Sequence, residues 1–216
     1  IYGGAGVHVE HLTKEMAGLA RVEVRCFGDQ VGESAPGQPV VRGYHPWESA
    51  LQQTDSRLRK ALSPVSINLA ASAEPVDADL VHCHTWYSMM GGIWTKLLYQ
   101  IPLVVTTHSL EPLRPWKEEQ LANGYNLSRW IERTAIHEAD AVIAVSRGTR
   151  EEIMQVYDID PDKIHVIYNG VDVDVFHPAD HREALQRYGV PQKPYILFVG
   201  RITRQKGVVH LVRALR

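Results

Sequence analysis

The sequence is poor in cysteine, in long apolar runs and in excess charge of either sign. It has two cysteines, Cys26 and Cys83, in apolar strand-like runs, which argues against a disulfide scaffold. No apolar run approaches the roughly 20 residues that a membrane-spanning helix needs, and no signal peptide is visible. The net charge of −2 and the pI of about 6.6 give no basic surface for nucleic acid. We therefore expect a cytoplasmic protein that binds neither membrane nor nucleic acid.

The ends of the sequence indicate a piece of a longer protein. It opens at Ile1 without an initiating methionine, and a glycine-rich turn follows with no strand in front of it. It ends at Arg216 within a segment of helical pattern. The length exceeds the roughly 100 to 150 residues of a common single domain. We expect one core lacking its first strand and the start of a second.

Short runs rich in Val, Ile and Leu alternate with segments of helical period, which is typical of a parallel sheet covered on both faces. The predicted fold class is therefore α/β, with Rossmann-like units. The predicted strands are Val22–Phe27, Val40–Gly43, Leu80–Cys83, Leu103–Thr107, Ala141–Val145, Ile164–Ile167 and Tyr195–Val199. The predicted helices are Val7–Leu19, Leu51–Ala73, Met89–Tyr99, Leu127–Glu138, Arg147–Tyr157 and Arg182–Tyr188. Pro64 should break or kink the second helix, because proline removes a backbone donor.

Glycine, imidazole and hydroxyl groups stand directly after several predicted strands. In α/β sheets, ligands bind at the carboxyl ends of the strands, so these residues should share one binding edge. A glycine-rich loop before a helix is weak evidence alone, because it could serve any Rossmann-like nucleotide binder. The candidate binding residues on this edge are Gly3, Gly4, Gly6, His84, Trp86, His108, Ser109 and Glu111.

A second candidate site follows the last predicted strand. Gly200, Arg201 and Lys206 precede a helical segment, and an arginine and a lysine at such a strand end suit a diphosphate. We place a first domain at residues 1–178, a linker at 179–192 and the beginning of a second domain at 193–216.

Taken in order, these motifs resemble the GT-B glycosyltransferases, and within them family 4 and the glycogen synthase group. No single motif is specific, but their order and spacing are, and the resemblance covers essentially the whole chain. It rests on the loop Gly3–Gly6, the segment His82-Cys83-His84-Thr85-Trp86, the segment Thr107-His108-Ser109, residues 138–146, the segment Asn169-Gly170-Val171-Asp172 with Phe176, and residues 200–207.

The resemblance implies a retaining hexosyltransferase. It would move glucose from a nucleotide sugar, ADP-glucose in the actinobacterial type, to an α-1,4-glucan or to glucose 1-phosphate, in glycogen biosynthesis. His108 would contact the transferred sugar, and Arg201 and Lys206 would neutralise the leaving nucleoside diphosphate. Loss of such a charge contact costs about 2 to 4 kcal/mol in the transition state. The resemblance implies no metal and no other cofactor.

Several residues also have a plainer interpretation. His82 and His84 lie two apart and resemble half of a metal site, but no third ligand of fitting spacing accompanies them, which favours a structural or cleft-lining role. Trp86 is more often a packing residue than a sugar platform. Glu132 with Arg133 is expected to form a solvated or interdomain pair. Thr85 stands where classical bacterial glycogen synthases carry Asp, which leaves polymer and small-molecule acceptors open.

Two rival functions remain at this point. A nucleotide-sugar epimerase of the same two-domain plan would need no acceptor, and a non-catalytic binding module would be left if the natural chain ended near Arg216. We expect residues 1–216 alone to be inactive, because the family's paired carboxylates belong to the second domain. The segment after about residue 190 should be poorly packed in isolation.

Overall fold

Six parallel strands in two sheets form the frame of the larger part of the molecule. The computed structural model describes residues 4–32, 35–178, 182–191 and 193–215. A two-stranded sheet pairs β1 (Glu23–Phe27) with β2 (Val40–Tyr44). A four-stranded sheet has the order β3 (Val81–His84), β4 (Leu103–Thr107), β5 (Ala141–Ala144) and β6 (Ile164–Val166). The parallel pairing confirms the α/β fold class, and six of the seven predicted strands are confirmed to within one residue at each end.

Nine helices accompany these strands within the described residues. They are α1 (Gly4–Ala17), α2 (Glu48–Leu51), α3 (Ser56–Ala73), α4 (Trp86–Tyr99), α5 (Glu118–Leu121), α6 (Gly124–Glu138), α7 (Arg147–Tyr157), α8 (Arg182–Arg187) and α9 (Val208–Ala214). Short 3₁₀ turns cover Glu111–Leu113, Pro115–Lys117, Pro161–Lys163 and Arg204–Lys206. None of the described helices combines the length and the apolar character that crossing a bilayer requires.

Pro64 was predicted to break or kink the helix Leu51–Ala73; a break at Pro64 is wrong, and a kink stays a prediction. The helix is interrupted earlier, ahead of α3, where the Asp55 carboxylate accepts a hydrogen bond from the backbone N–H of Arg57 at 2.8 Å. Pro64 lies inside α3 and is buried, and the helix continues beyond it. The Asn68 amide donates to the Pro64 carbonyl at 2.6 Å. A missing backbone hydrogen bond is outweighed here because this face of α3 is buried in the core.

The core lies between the four-stranded sheet and helices α4 and α6. Cys83, Val105 and Val142 stand side by side on three neighbouring strands and are almost completely buried. Gly92 lets α4 approach the sheet closely, because a Cβ there would clash with the Cys83 Sγ and would lie 2.8 Å from the Leu103 Cδ1. This packing fixes the ends of β3 and β4, where the candidate site lies.

The chain separates into two compact units, Ile1–Gly170 and Val171–Arg216. The boundaries given above, residues 1–178, 179–192 and 193–216, remain a prediction. In the second unit the predicted strand Tyr195–Val199 is wrong, since it forms no ladder within the described residues. Its side chains are exposed, Val199 to 84 %. An apolar strand pattern needs a neighbouring strand to hydrogen-bond with, and the described part of this unit offers none.

Candidate active site at the carboxyl edge of the sheet

Four histidines from three separate segments form one cluster. His82 and His84 lie on β3, His108 directly follows β4, and His8 lies on α1. The ring centroids of His82 and His84 are 4.3 Å apart, which confirms that they share a face of the strand. His84 Nδ1 and His108 Nε2 are 3.2 Å apart, close enough for one ring N–H to donate to the other nitrogen. The His8 ring centroid lies 5.4 Å from that of His84 and 4.9 Å from that of His108.

Burial disfavours the charged form of these imidazoles. It lowers the pKa of His82 and of His108 to about 4, and the pKa of His84 to about 2, with repulsion between neighbouring rings as the smaller cause. The pKa of His8 is also lowered by burial. In the described parts of the chain, no carboxylate pairs with any of the four. Neutral imidazoles both donate and accept hydrogen bonds, so this cluster suits a polyhydroxylated neutral ligand such as a sugar.

Two hydroxyl side chains orient the cluster. His82 Nε2 lies 2.7 Å from the Thr106 Oγ1 of the neighbouring strand. The Ser88 hydroxyl donates to the His84 carbonyl at 2.9 Å and accepts from the His84 backbone N–H at 3.1 Å. Between His84 and α4, Thr85 adopts φ 65° and ψ 162°, a backbone region that glycine favours. The chain therefore makes a sharp turn at the carboxyl end of β3, and the hydrogen bonds to Ser88 hold it there.

His8 is the site residue that the sequence did not reveal. Its signal lay in the glycine-rich segment, because a residue four positions after Gly4 on a helix faces the same side as that glycine. The predicted start of this helix at Val7 is corrected to Gly4. Gly4 and Gly6 thus lie within the first turn of α1, while Gly3 lies outside the described residues. A Cβ at Gly4 would meet no atom within 4 Å, so the described chain itself does not require glycine there.

The same arrangement bears on metal binding. One ring nitrogen from each of His8, His84 and His108 lies within 4.8 Å of the other two. Among the described residues, no third ligand joins His82 and His84. The candidate group instead joins His84 to His8 on α1 and to His108 at the end of β4, which the spacing within one strand did not reveal. That catalysis needs no metal stays a prediction.

Trp86 occupies the core rather than the site surface. It begins α4 and is 2 % exposed, and its ring centroid lies 4.4 Å from that of Tyr87. A sugar cannot stack on a ring that is covered in this way. The packing interpretation of Trp86 fits the structure, and its predicted ligand-binding role does not.

Glu111 lies in a buried network directly behind the His108 loop. It is 2 % exposed, and its carboxylate pairs with the Lys117 ammonium and accepts from the Ser128 hydroxyl at 3.0 Å. Its backbone N–H donates to the Glu132 Oε1 at 2.7 Å, and its carbonyl accepts from the Tyr125 hydroxyl at 2.6 Å. Glu111 therefore positions the loop, and its predicted contact with a ligand has no support in this arrangement.

Glu132 was expected to be solvated or interdomain, and this is wrong. It is 1 % exposed and accepts a hydrogen bond from the Tyr157 hydroxyl, while its neighbour Arg133 is exposed as expected. Burial raises the pKa of Glu132 to about 7 and lowers that of Lys117. The helix pattern did not distinguish this inward carboxylate from a surface one, because its partners come from distant segments.

The remaining predicted residues are exposed. The Ser109 hydroxyl accepts from the Arg114 Nη1 at 3.2 Å. In the second unit, Arg201 and Lys206 are exposed, and Lys206 closes a 3₁₀ turn that leads into α9 through Gly207 at φ +64°. Neither cation has an ion pair among the residues described. Gly200 is exposed beside Arg201. Whether these groups bind a diphosphate stays a prediction.

The chain is similar in sequence and in fold to known glycosyltransferases. The chain is 46 % identical, over 99 % of its length, to the alpha-maltose-1-phosphate synthase of Mycolicibacterium smegmatis, of which it covers 54 %. It matches the structure of sucrose-phosphate synthase from Thermosynechococcus elongatus with a TM-score of 0.71 at 20 % identity, over 99 % of this chain and 54 % of that one. It matches Anabaena Alr3699/HepE in complex with UDP-glucose with a TM-score of 0.56 at 20 % identity, over 88 % of this chain and 47 % of that one.

These matches show the family of the chain and how much of its relatives' length it covers. The chain spans about half the length of the curated relatives it matches. The two structural likenesses support the GT-B fold. Residues 2–175 match the sequence profile of Glycosyltransferase Family 4, a stretch that contains the whole histidine cluster. The chain therefore belongs to Glycosyltransferase Family 4.

Proposed function

We propose that the protein containing this chain is a retaining hexosyltransferase that transfers glucose from a nucleotide sugar to glucose 1-phosphate or to an α-1,4-glucan. The observation that supports this best is the cluster of neutral imidazoles at the carboxyl edge of the sheet in a family 4 chain. Such groups bind sugar hydroxyls without adding charge. Among the described residues no carboxylate belongs to the cluster. In this proposal His108 orients the sugar, and the reaction depends on positioning and electrostatics.

The roles of the individual residues follow from their surroundings. His108 uses one ring nitrogen toward His84, 3.2 Å away, which leaves its other nitrogen for a sugar hydroxyl. The buried pair of Glu111 and Lys117 holds the loop that follows His108. Arg201 and Lys206, both exposed, would stabilise the charge that develops on the leaving nucleoside diphosphate. No metal is needed for this division of roles.

The donor and acceptor are proposed from the relatives. A related structure holds UDP-glucose, and the resemblance to the actinobacterial glycogen synthase group favours ADP-glucose. The name alpha-maltose-1-phosphate synthase favours a sugar phosphate as the acceptor. Transfer to glucose 1-phosphate would place the protein in the supply of α-glucan precursors.

An open cavity of 480 Å³ supports a small acceptor. Its walls are mostly apolar, with Ser63, Gln120 and Lys60 as the polar groups among Phe27, Pro64, Ile67, Tyr87 and Leu121. Phe27 ends β1 and Tyr87 lies in the first turn of α4, and the centroids of their two rings are 6.5 Å apart. An aromatic wall beside one lysine is suited to a sugar that carries a phosphate.

The test uses the full-length protein and separates donor from acceptor. ADP-glucose and UDP-glucose are each supplied with glucose 1-phosphate, with glycogen or with no acceptor, and the products are identified by mass spectrometry. We expect maltose 1-phosphate with ADP-glucose, and no change of the nucleotide sugar without an acceptor. Formation of an isomeric nucleotide sugar without an acceptor would identify an epimerase and overturn the proposal.

Three variants refine the assignment. His108→Ala and Arg201→Ala should each lower turnover by about 100-fold or more, because each removes a contact that strengthens in the transition state. Lys60→Met should raise the KM for glucose 1-phosphate and leave glycogen elongation unchanged. His137→Ala, on the exposed face of α6, is the matched control. Wild-type turnover in His108→Ala would contradict the role of the cluster, and residues 1–216 alone should be inactive.

A further inference from the structure

We propose that His8, His84 and His108 form a binding site for a divalent transition-metal ion, best suited to Zn²⁺, and that the bound ion blocks sugar transfer. Three imidazoles that present nitrogen ligands to one point are the donor set of many zinc sites. Hard ions such as Mg²⁺ prefer oxygen ligands, above all carboxylates, and no carboxylate belongs to this group within the described residues. The proposed ligand is therefore a borderline metal and not the ion that commonly accompanies nucleotides.

The geometry requires only a modest adjustment. Ligands about 2.05 Å from a tetrahedral zinc are separated by about 3.4 Å. His84 Nδ1 and His108 Nε2 are already 3.2 Å apart. All three candidate nitrogens lie within 4.8 Å of one another. Most of the movement needed to reach the tetrahedral separation is therefore that of the His8 nitrogen toward the other two.

Helix α1, which carries His8, is the element best able to make that adjustment. It has no fully buried residue, so a small movement toward β3 disturbs little packing. His84 and His108, by contrast, are held by the sheet, where His84 pairs with Thr106 in the register of β3 and β4. We therefore expect His84 and His108 to stay in place and His8 to move into position when the metal binds.

Each of the three side chains is chemically available. Each is partly buried, and none hydrogen-bonds to a carboxylate in the described parts of the chain. A neutral imidazole has one ring nitrogen with a free lone pair. In the hydrogen bond between His84 and His108, one of the two facing nitrogens carries a proton, and a change of tautomer moves that proton to the ring's other nitrogen, so that both facing lone pairs can bind a metal. Three ligands leave a fourth position to water, as in open zinc sites.

The binding test uses the full chain and the metal alone. Zn²⁺ is titrated by calorimetry into metal-free protein, and Co²⁺ is used as a probe, because four-coordinate Co²⁺ absorbs strongly at visible wavelengths. His8→Gln removes one ligand, and His11→Gln removes an exposed imidazole from the same helix as a matched control. We expect one Zn²⁺ per chain, weakened about 10-fold or more in His8→Gln and unchanged in His11→Gln. Mg²⁺ should give no signal.

The outcomes are distinct. Equal Zn²⁺ affinity in wild type and His8→Gln, or an equal loss in His11→Gln, would show adventitious surface binding and overturn the proposal. If His8→Gln loses its circular dichroism spectrum, His108→Gln provides the test from a different segment. The absence of a four-coordinate Co²⁺ spectrum in the wild type would also overturn it.

The inhibitory part rests on the proposed function. Zn²⁺ on His108 would occupy the side chain that contacts the sugar, so inhibition of the full-length enzyme should be competitive with the nucleotide sugar. With each variant's activity expressed relative to its own activity without Zn²⁺, half-inhibition of His8→Gln should need a higher Zn²⁺ concentration than half-inhibition of His11→Gln. Tight binding without inhibition would overturn the sugar-contacting role of His108 while leaving the metal site intact, so the two failures are distinguishable.

Discussion

Lowering the pH from 7 to 5 should destabilise the larger unit through its histidine cluster. The pKa of His82 is about 4 in the folded chain, whereas an unfolded histidine titrates near 6.5. The unfolded chain therefore binds the additional proton first as the pH falls. Stability is fully present above about pH 6.5 and is lost as the pH decreases toward 4.

The size of the effect follows from these two pKa values. Each pH unit within the window costs at most about 1.4 kcal/mol per group, so His82 alone accounts for at most about 2 kcal/mol between pH 6.5 and pH 5. Because the cluster is only partly buried and water screens it, we expect about 1 to 2 kcal/mol. His84 and His108, whose pKa values are also lowered, act in the same direction. Glu132 acts oppositely, since its raised pKa of about 7 favours the folded state at low pH.

A comparison of variants isolates His82 from these other groups. Urea unfolding at pH 7 and pH 5 is followed by tryptophan fluorescence, which reports the first unit because all five tryptophans precede residue 171. His82→Gln keeps a hydrogen-bonding group beside Thr106 and removes the titration. The pH-dependent loss of stability should be smaller in His82→Gln by about 1 to 2 kcal/mol. His137→Gln, which removes an imidazole outside the cluster, should retain the wild-type loss.

One result would refute the reasoning. If His82→Gln loses as much stability between pH 7 and pH 5 as the wild type, burial of this imidazole is not what makes the folded chain acid-sensitive. Direct titration of the ring protons by NMR would then place the pKa of His82 near that of an unfolded histidine.

Three further predictions concern packing and order. Lys117→Met should lower the free energy of unfolding by about 3 kcal/mol in urea, because it removes the nearest cation of the buried Glu111 and leaves only the Arg114 Nη1 at 3.6 Å, and adding Glu111→Gln should recover most of the loss. Gly92→Ala should destabilise by about 1 to 3 kcal/mol through overpacking against the sheet, with Gly170→Ala as a control where a Cβ meets nothing; equal thermal midpoints would contradict this. The backbone amides of Tyr195–Val199 should exchange hydrogen rapidly in the isolated chain, and strong protection would show a partner for this segment.

The regular elements were predictable where local pattern and packing agree. The bounds of β4 and α7 match the sequence prediction at both ends. The start of α7 was signalled by Ser146, whose hydroxyl accepts from the Thr149 N–H at 3.0 Å. The carboxyl-edge rule also placed His84 and His108 together, because their strands are neighbours.

The features that the sequence did not reveal depend on contacts between distant residues. Glu132 looks like a surface residue in its helix, and its burial depends on hydrogen bonds from the Glu111 backbone N–H and from Tyr157, 25 residues away. His8 joins His84 across 76 positions of sequence, which no local period records. Conversely, the run Tyr195–Val199 has a strand pattern but pairs with no other strand in the described chain. The sequence pattern thus indicates which secondary structure a segment can form, and contacts with distant residues determine whether it forms and which side chains are buried.

The backbone at Thr85 has a consequence for attempts to engineer this protein. A threonine at φ 65° and ψ 162° costs about 1 to 3 kcal/mol, which glycine would largely avoid. Selection for heat resistance should therefore favour glycine at this position. The same exchange would loosen the joint that aims the His84 ring at His108. Substitutions at this one position would then raise thermostability while lowering turnover. Variants from a library randomised only at residue 85 should therefore show an inverse relation between melting temperature and turnover.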